Sequence, residues 1–113
     1  MICRLCPRDC GAERTETKRG GVCGMPSVPV AARAMLHQWE EPCLVGEHGA
    51  GTVFFSGCNL RCCFCQNKPI SQGGAGKIVT VERLREIFHE LIGQGAACLD
   101  LVTPTHFTDA ILD

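Results

Sequence analysis

Residues 52–65 read Thr52-Val53-Phe54-Phe55-Ser56-Gly57-Cys58-Asn59-Leu60-Arg61-Cys62-Cys63-Phe64-Cys65. The first part is β-branched and aromatic, which predicts a short buried strand that ends at Gly57. Three cysteines then follow at the spacing C-x3-C-x2-C, at Cys58, Cys62 and Cys65. In β/α proteins, functional side chains lie at the carboxyl ends of strands. The stretch therefore predicts a strand that presents a thiol-rich loop to a functional site.

The three cysteines of this loop suit an iron–sulfur cluster. Such clusters are held by cysteine thiolates, and a cubane cluster normally takes four. A loop that supplies three leaves one iron without a protein ligand, and an open metal position is where a substrate or cofactor binds. On spacing alone, two other interpretations stay open: a structural zinc site whose fourth ligand lies elsewhere, and three unrelated buried thiols.

The residues after the loop predict one βαβ unit. A Gly-rich turn is expected at 71–76. Beyond the candidate N-cap Thr80, apolar residues recur at helical intervals, at Val81, Leu84, Ile87, Phe88 and Leu91. Residues 96–102 predict a second strand, and residues 108–113 the start of another helix. A complete (β/α) barrel needs about 250 residues, so we expect the chain to be a piece of a longer protein or half of a structure that another chain completes.

A second group of cysteines lies at the beginning of the chain. Residues 1–24 contain Cys3, Cys6, Cys10 and Cys23, spaced C-x2-C-x3-C-x12-C among glycines that favour turns. Four thiols in Gly-rich turns suit a tetrahedral site, and the sequence leaves zinc and a second iron–sulfur cluster open. Two disulfides are a third interpretation. Residues 13–19, between the ligands, are expected to form a charged, solvated loop.

Residues 25–50 are interpreted as a connector. An edge strand is expected within 28–36, because Pro29 is tolerated at a sheet edge. Trp39 is expected to pack on the Cys-rich residues 1–24 or on the main domain.

The composition excludes some functions. The net charge of -1 gives no indication of a nucleic-acid surface, and no apolar run approaches the ~20 residues of a membrane span.

Cysteine usage points to a reducing compartment. The N-terminus has no hydrophobic signal region, so a cytoplasmic location is expected. Ten of the 113 residues are cysteine. In a reducing compartment, clustered cysteines more often bind metal than form disulfides.

Several motifs together resemble those of radical S-adenosylmethionine (SAM) enzymes, and most closely the pyruvate formate-lyase activating enzyme-like group. The cysteine loop has an aromatic residue, Phe64, just before its last cysteine. The other similar stretches are the N-terminal Cys3-Arg4-Leu5-Cys6-Pro7-Arg8-Asp9-Cys10-Gly11, the strand-and-loop segment 51–67, and the end of the second strand, Leu101-Val102-Thr103-Pro104-Thr105-His106-Phe107.

The resemblance implies an α/β fold: the N-terminal part of a partial (β/α)6 barrel in residues 51–113, preceded by a Cys-rich metal-binding head in residues 1–24. It implies a [4Fe-4S] cluster on Cys58, Cys62 and Cys65, with SAM bound at the open iron and cleaved to a 5′-deoxyadenosyl radical. Phe64 would lie near the adenine, and His106 is a weaker candidate for a cofactor or substrate contact. Cys63 is not expected to be a ligand.

The implied partners are an electron donor such as flavodoxin or ferredoxin and a glycyl-radical enzyme as protein substrate. The chain departs from the pattern in one place. Many radical SAM enzymes hold the methionine amine with a Gly-Gly-Glu type motif at the end of the second strand, where this chain has residues 103–106. The alternative function is a non-catalytic iron–sulfur or zinc-binding module.

Overall fold

The computed structural model describes residues 2–38, 42–73 and 76–113. Two predictions, for Trp39 and for part of the Gly-rich turn, fall on residues outside these ranges. The strands are β1 (Val30–His37), β2 (Ala50–Phe55), β3 (Lys77–Ile78) and β4 (Leu99–Val102). The helices are α1 (Pro42–Val45), α2 (Lys68–Ser71), α3 (Val81–Gly93) and α4 (Thr108–Leu112), and a 3-10 turn spans Thr105–Phe107. In the described residues, no helix is long and apolar enough to cross a membrane.

The strands form one mixed sheet in the order β3-β1-β2-β4. β1 is antiparallel to both β2 and β3, whereas β2 and β4 are parallel and are joined through α3. The predicted βαβ unit is therefore present in β2, α3 and β4. The larger (β/α)6 barrel stays a prediction, because the sheet contains only this one parallel pair in the part of the chain that is described.

The prediction of an edge strand at 28–36 was wrong. β1 lies between β2 and β3, and it pairs with β2 from Ala31 to His37. Proline is nevertheless accommodated, because Pro29 precedes the strand and its carbonyl accepts the N–H of Val79 at 2.9 Å. The segment interpreted as a connector thus supplies a central strand of the sheet.

Helix α3 forms as the sequence predicts. The hydroxyl of Thr80 accepts a hydrogen bond from the N–H of Arg83 at 3.1 Å, which satisfies one of the free donors of the first turn. The apolar face buries Leu84 and Leu91 against the sheet. The end of the helix lies close to β2, since a Cβ added at Gly51 would lie 3.1 Å from that of Leu91.

The hydrophobic core joins the head to the sheet. Its buried residues come from the head, the segment just after it, strands β1 and β2, α3 and the 3-10 turn: Cys23, Met25, Val30, Val53, Phe55, Leu84, Leu91 and Phe107. The rings of Phe55 and Phe107 lie 5.9 Å apart, which places the end of β2 against the 3-10 turn that follows β4. Burial of these side chains fixes the strand end from which the cysteine loop leaves.

Candidate metal centre

The cysteine loop, residues 57–65, begins at the carboxyl end of β2. Every residue of this strand except Phe54 is buried. Gly57 follows with a φ of 79°, and a Cβ at this position would overlap Met25 Cγ and lie 2.9 Å from the carbonyl oxygen of Cys23. The chain can turn here only because residue 57 is glycine. The turn brings Cys58 into a buried position against the head.

Cys58 accepts a backbone hydrogen bond. The N–H of Leu60 donates to its Sγ at 3.3 Å. The loop then bends at Arg61, which has a φ of 58°. The guanidinium of Arg61 donates to the carbonyl of Val22 at 3.1 Å, so the loop is anchored on the head.

Cys62 and Cys65 lie on the second half of the loop and are both half-buried. The N–H of Cys65 donates to the carbonyl of Cys62 at 3.3 Å, and the amide of Gln72 donates to the same oxygen at 2.9 Å. The Sγ of Cys65 lies 3.3 Å from the hydroxyl of the buried Ser71. Polar groups from α2 and the residue after it therefore hold this half of the loop.

Cys63, which was not expected to be a ligand, and the candidate Phe64 face solvent. Cys63 is exposed, and 85% of Phe64 is accessible. Leu60 is also exposed, so two large apolar side chains project from the surface of the loop. The proposed contact between Phe64 and adenine stays a prediction.

The donor set of the loop fits an iron–sulfur cluster better than a single ion. Within residues 2–38, 42–73 and 76–113, no three His, Cys, Asp or Glu side chains are grouped so as to hold one metal ion. A cubane binds each thiolate to a different iron, so its ligands lie farther apart than those around one ion. Three partly buried thiols on one short loop, with a hydrogen bond donated to Cys58, suit that arrangement.

His106 lies beneath the loop. It is 2% exposed, its Nε2 lies 2.7 Å from the carbonyl oxygen of Ser56, and its ring packs against that of Phe107 at 4.2 Å. Burial lowers the pKa of His106, although the contact with Ser56 opposes that effect. The ring is therefore expected to be neutral, with the proton on Nε2. A direct contact between His106 and a cofactor stays a prediction.

The four predicted ligands of the head differ in environment. Cys3 and Cys23 are buried, Cys6 is half-buried and Cys10 is exposed. Burial raises the pKa of the Cys23 thiol, and the neighbouring thiols of Cys3 and Cys10 act in the same direction. Backbone hydrogen bonds from Ala12 and Val22 lower the pKa of Cys10. Three of the four thiols thus lie close enough to influence one another.

The prediction of a solvated loop at 13–19 was wrong for Arg14, which is completely buried. Its guanidinium donates to the carbonyls of Met25, Pro26 and His106. It also donates to Cys3 Sγ at 3.1 Å and lies 5.8 Å from the centre of the Phe107 ring. Nothing in the local sequence distinguished Arg14 from its charged neighbours, because its partners are carbonyl groups brought together by the fold.

Comparisons with known proteins agree with the thiol chemistry of the loop. Residues 44–103, more than half of the chain, match a family model described as a 4Fe-4S single cluster domain. An uncharacterized protein of Methanocaldococcus jannaschii is 43% identical over 70 residues, which cover 62% of this chain and 19% of that protein. The chain thus spans about a fifth of the length of this relative. No solved structure matched the chain.

Proposed function

The chain belongs to the 4Fe-4S single cluster domain family, and from this premise we propose that it is a radical SAM iron–sulfur protein. The observation that carries the proposal is the loop at the end of β2. It presents three thiols, Cys58, Cys62 and Cys65. Hydrogen bonds to neighbouring backbone and side-chain groups hold the loop in place. Three protein ligands leave the fourth iron of a cubane open for the amino and carboxylate groups of SAM.

The residues around the loop have separable roles in this proposal. The thiols hold the cluster. The N–H of Leu60 donates to Cys58 Sγ, the hydroxyl of Ser71 lies 3.3 Å from Cys65 Sγ, and Gln72 orients the segment that carries Cys62. A bound and reduced cluster would supply the electron that cleaves SAM to methionine and a 5′-deoxyadenosyl radical. The hard chemistry belongs to the cofactors, and the protein positions and shields them.

The partners follow from that chemistry. Reduction of the cluster requires an electron donor such as flavodoxin or ferredoxin, and the resemblance to activating enzymes favours a glycyl-radical enzyme as the substrate. We also propose that the protein is cytoplasmic and that further strands and helices complete a barrel around SAM.

A second candidate function is a cluster-binding module without catalysis. One observation favours it: the segment after β4, which was expected to contact the cofactor, turns inward. Thr103 has a φ of 55°, and both His106 and Phe107 are buried against the sheet. In that case His106 packs in the protein interior and does not contact a cofactor.

Anaerobic reconstitution of the chain with iron and sulfide tests the proposal. We expect about four irons and four sulfides per loop, with loss of both in Cys62→Ala and retention in the matched variant Cys63→Ala. Addition of SAM is expected to change the electron paramagnetic resonance spectrum of the reduced cluster, and dithionite with SAM to release 5′-deoxyadenosine. A cluster whose spectrum does not change when SAM is added would favour the module, and a cluster retained in Cys62→Ala would overturn the assignment of the cluster to this loop.

A further inference from the structure

Arg14 is a buried cation without an acidic partner. Its side chain is completely buried, and within the part of the chain that the structure describes no carboxylate forms an ion pair with it. Its guanidinium donates to the carbonyls of Met25, Pro26 and His106. It also donates to Cys3 Sγ at 3.1 Å. Carbonyl oxygens solvate the charge without neutralising it, and a buried charge is costly unless a negative group lies nearby.

Two of these partners also contact the start of the cysteine loop. A Cβ added at Gly57 would overlap Met25 Cγ, and it would lie 3.2 Å from His106 Nε2. Gly57 directly precedes Cys58, whose side chain is buried on the same side of the loop as the head. Met25 and His106 therefore contact both the guanidinium and the turn from which the loop begins.

The space between Arg14 and the loop is apolar. The guanidinium carbon lies 5.8 Å from the centre of the Phe107 ring, and Phe107, Met25 and Cys23 are all buried. Because water is excluded here, a charge is screened less than it is at the surface. Burial is the main cause of the lowered pKa of His106, and the charge of Arg14 acts in the same direction. The charge thus reaches a residue that lies against Gly57.

The other arginines that contact or belong to the loop are exposed. Arg8 donates to the carbonyls of Asn59 and Leu60, and Arg61 is part of the loop itself. Both side chains are exposed to solvent, which screens their charge. Arg14 differs from them because its charge is fixed in the interior.

A cluster on the loop would supply the negative group that Arg14 lacks. Its thiolate ligands give a cubane net negative charge, and reduction by an external donor adds one electron without forming or breaking a bond. We propose that Arg14 raises the reduction potential of the cluster on Cys58, Cys62 and Cys65, because its buried charge stabilises the reduced form. This role rests on the assignment of the cluster to the loop in the proposed function, and it brings the cluster within easier reach of its electron donor.

A redox titration of the loaded full chain without SAM, followed by electron paramagnetic resonance, tests this role. A weakly screened unit charge changes an equilibrium on the order of tenfold at roughly 10 Å. We therefore expect Arg14→Met to lower the ratio of reduced to oxidised cluster at a fixed potential about tenfold, which is a shift of about 59 mV for one electron. Arg14→Lys keeps the charge and should restore most of the midpoint, and the exposed Arg19→Met should leave it unchanged.

Two variants of Cys3 test the charge with Arg14 in place. Aspartate and asparagine have the same shape, and each offers an oxygen acceptor to Nη1 where Cys3 Sγ now lies. Only aspartate carries a charge that neutralises the guanidinium, so the midpoint should be more negative in Cys3→Asp than in Cys3→Asn. Equal midpoints in this pair would overturn the proposal even where Arg14→Met does not fold, as would an unchanged midpoint in loaded Arg14→Met.

The outcome for Arg14 is separable from the outcome for SAM cleavage. Because the titration contains no SAM, shifted midpoints support the role of Arg14 even if no 5′-deoxyadenosine is released, a result that counts against the radical SAM function alone. Equal midpoints in all loaded variants count against Arg14 alone. A titrated cluster that persists in Cys62→Ala would overturn the role of Arg14 as well, since that cluster would not be bound to the loop.

Discussion

The Nε2 atom of His106 lies 2.7 Å from the backbone carbonyl oxygen of Ser56, two residues before the first cysteine of the loop. This hydrogen bond joins the segment after β4 to the end of β2. The opposite ring nitrogen, Nδ1, is buried and has no hydrogen-bond partner among the described residues. The imidazole therefore supports the origin of the cysteine loop through one bond, in its neutral form.

Protonation of His106 is expected to destabilise the fold. Burial lowers its pKa below the ordinary value of 6.5, and the nearby Arg14 acts in the same direction. The unfolded chain then binds more protons than the folded chain as the pH falls below about 6.5. The contribution of neutral His106 to the free energy of unfolding is fully present above that pH, and it is lost as the pH falls toward the lower pKa of the folded state.

Urea unfolding between about pH 7.5 and pH 5 measures this effect. The free energy of unfolding should fall with pH in the unaltered chain, and His106→Gln should show a weaker dependence. His89→Gln, at an exposed position on α3, is the control and should keep the original slope. Equal slopes in all three proteins would contradict the role assigned to His106.

Gly57→Ala is expected to disrupt the start of the loop. The new methyl group would overlap Met25 and would meet the Cys23 carbonyl at 2.9 Å, at a φ of 79° that disfavours alanine. We expect a loss of about 1–3 kcal/mol in the free energy of unfolding and lower iron content after reconstitution. Gly93→Ala, where nothing lies within 4 Å of the added group, should be neutral or slightly stabilising, and equal effects of both changes would refute the steric argument.

Much of the sheet could be predicted because its signals are local. The β-branched and aromatic residues 52–55 predicted β2, and the helical spacing of apolar residues after Thr80 predicted α3. Strand β4 was also predicted, with its start about three residues too early. The cluster could be predicted too, since three thiols at short spacing are meaningful without knowledge of the fold, whereas the assignment of Cys58, Cys62 and Cys65 as its ligands stays a prediction. The match over residues 44–103 agrees with that interpretation.

The parts that could not be predicted depend on contacts between distant residues. Arg14 looks like any charged residue of its loop, yet the fold brings to it a carbonyl 92 residues away, that of His106. The central position of β1 follows from pairing with β3, which is only two residues long and has no clear sequence pattern. The support that Ser71 and Gln72 give to the loop also arises only when α2 folds back against it.

Thr80→Ala tests the one helix cap that the sequence predicted. The hydroxyl accepts a hydrogen bond from Arg83 N–H at 3.1 Å, and loss of such a cap typically costs about 1 kcal/mol. The midpoint of urea unfolding should fall accordingly, whereas Thr80→Ser keeps the acceptor and should retain most of the stability. If the serine and alanine variants lose stability equally, the contribution comes from the methyl group of Thr80 and not from its cap.

Ser71→Ala is expected to lower the reduction potential of a cluster bound to the loop. The Ser71 hydroxyl lies 3.3 Å from Cys65 Sγ, and a hydrogen bond donated to sulfur stabilises the extra negative charge of the reduced cluster. Without that bond the oxidised form is relatively favoured, so the midpoint should become more negative. A redox titration followed by electron paramagnetic resonance measures the shift on loaded protein alone, which separates it from any loss of folding.

The control for this shift is Ser27→Ala, between the head and β1. The side chain of Ser27 makes no hydrogen bond within the part of the chain that the structure describes, and it is half-buried, so its removal should leave the midpoint where it is. An unchanged midpoint in Ser71→Ala would mean that its hydroxyl does not donate to Cys65. The hydroxyl would then only accept from the thiol, a bond that is lost once the sulfur binds iron.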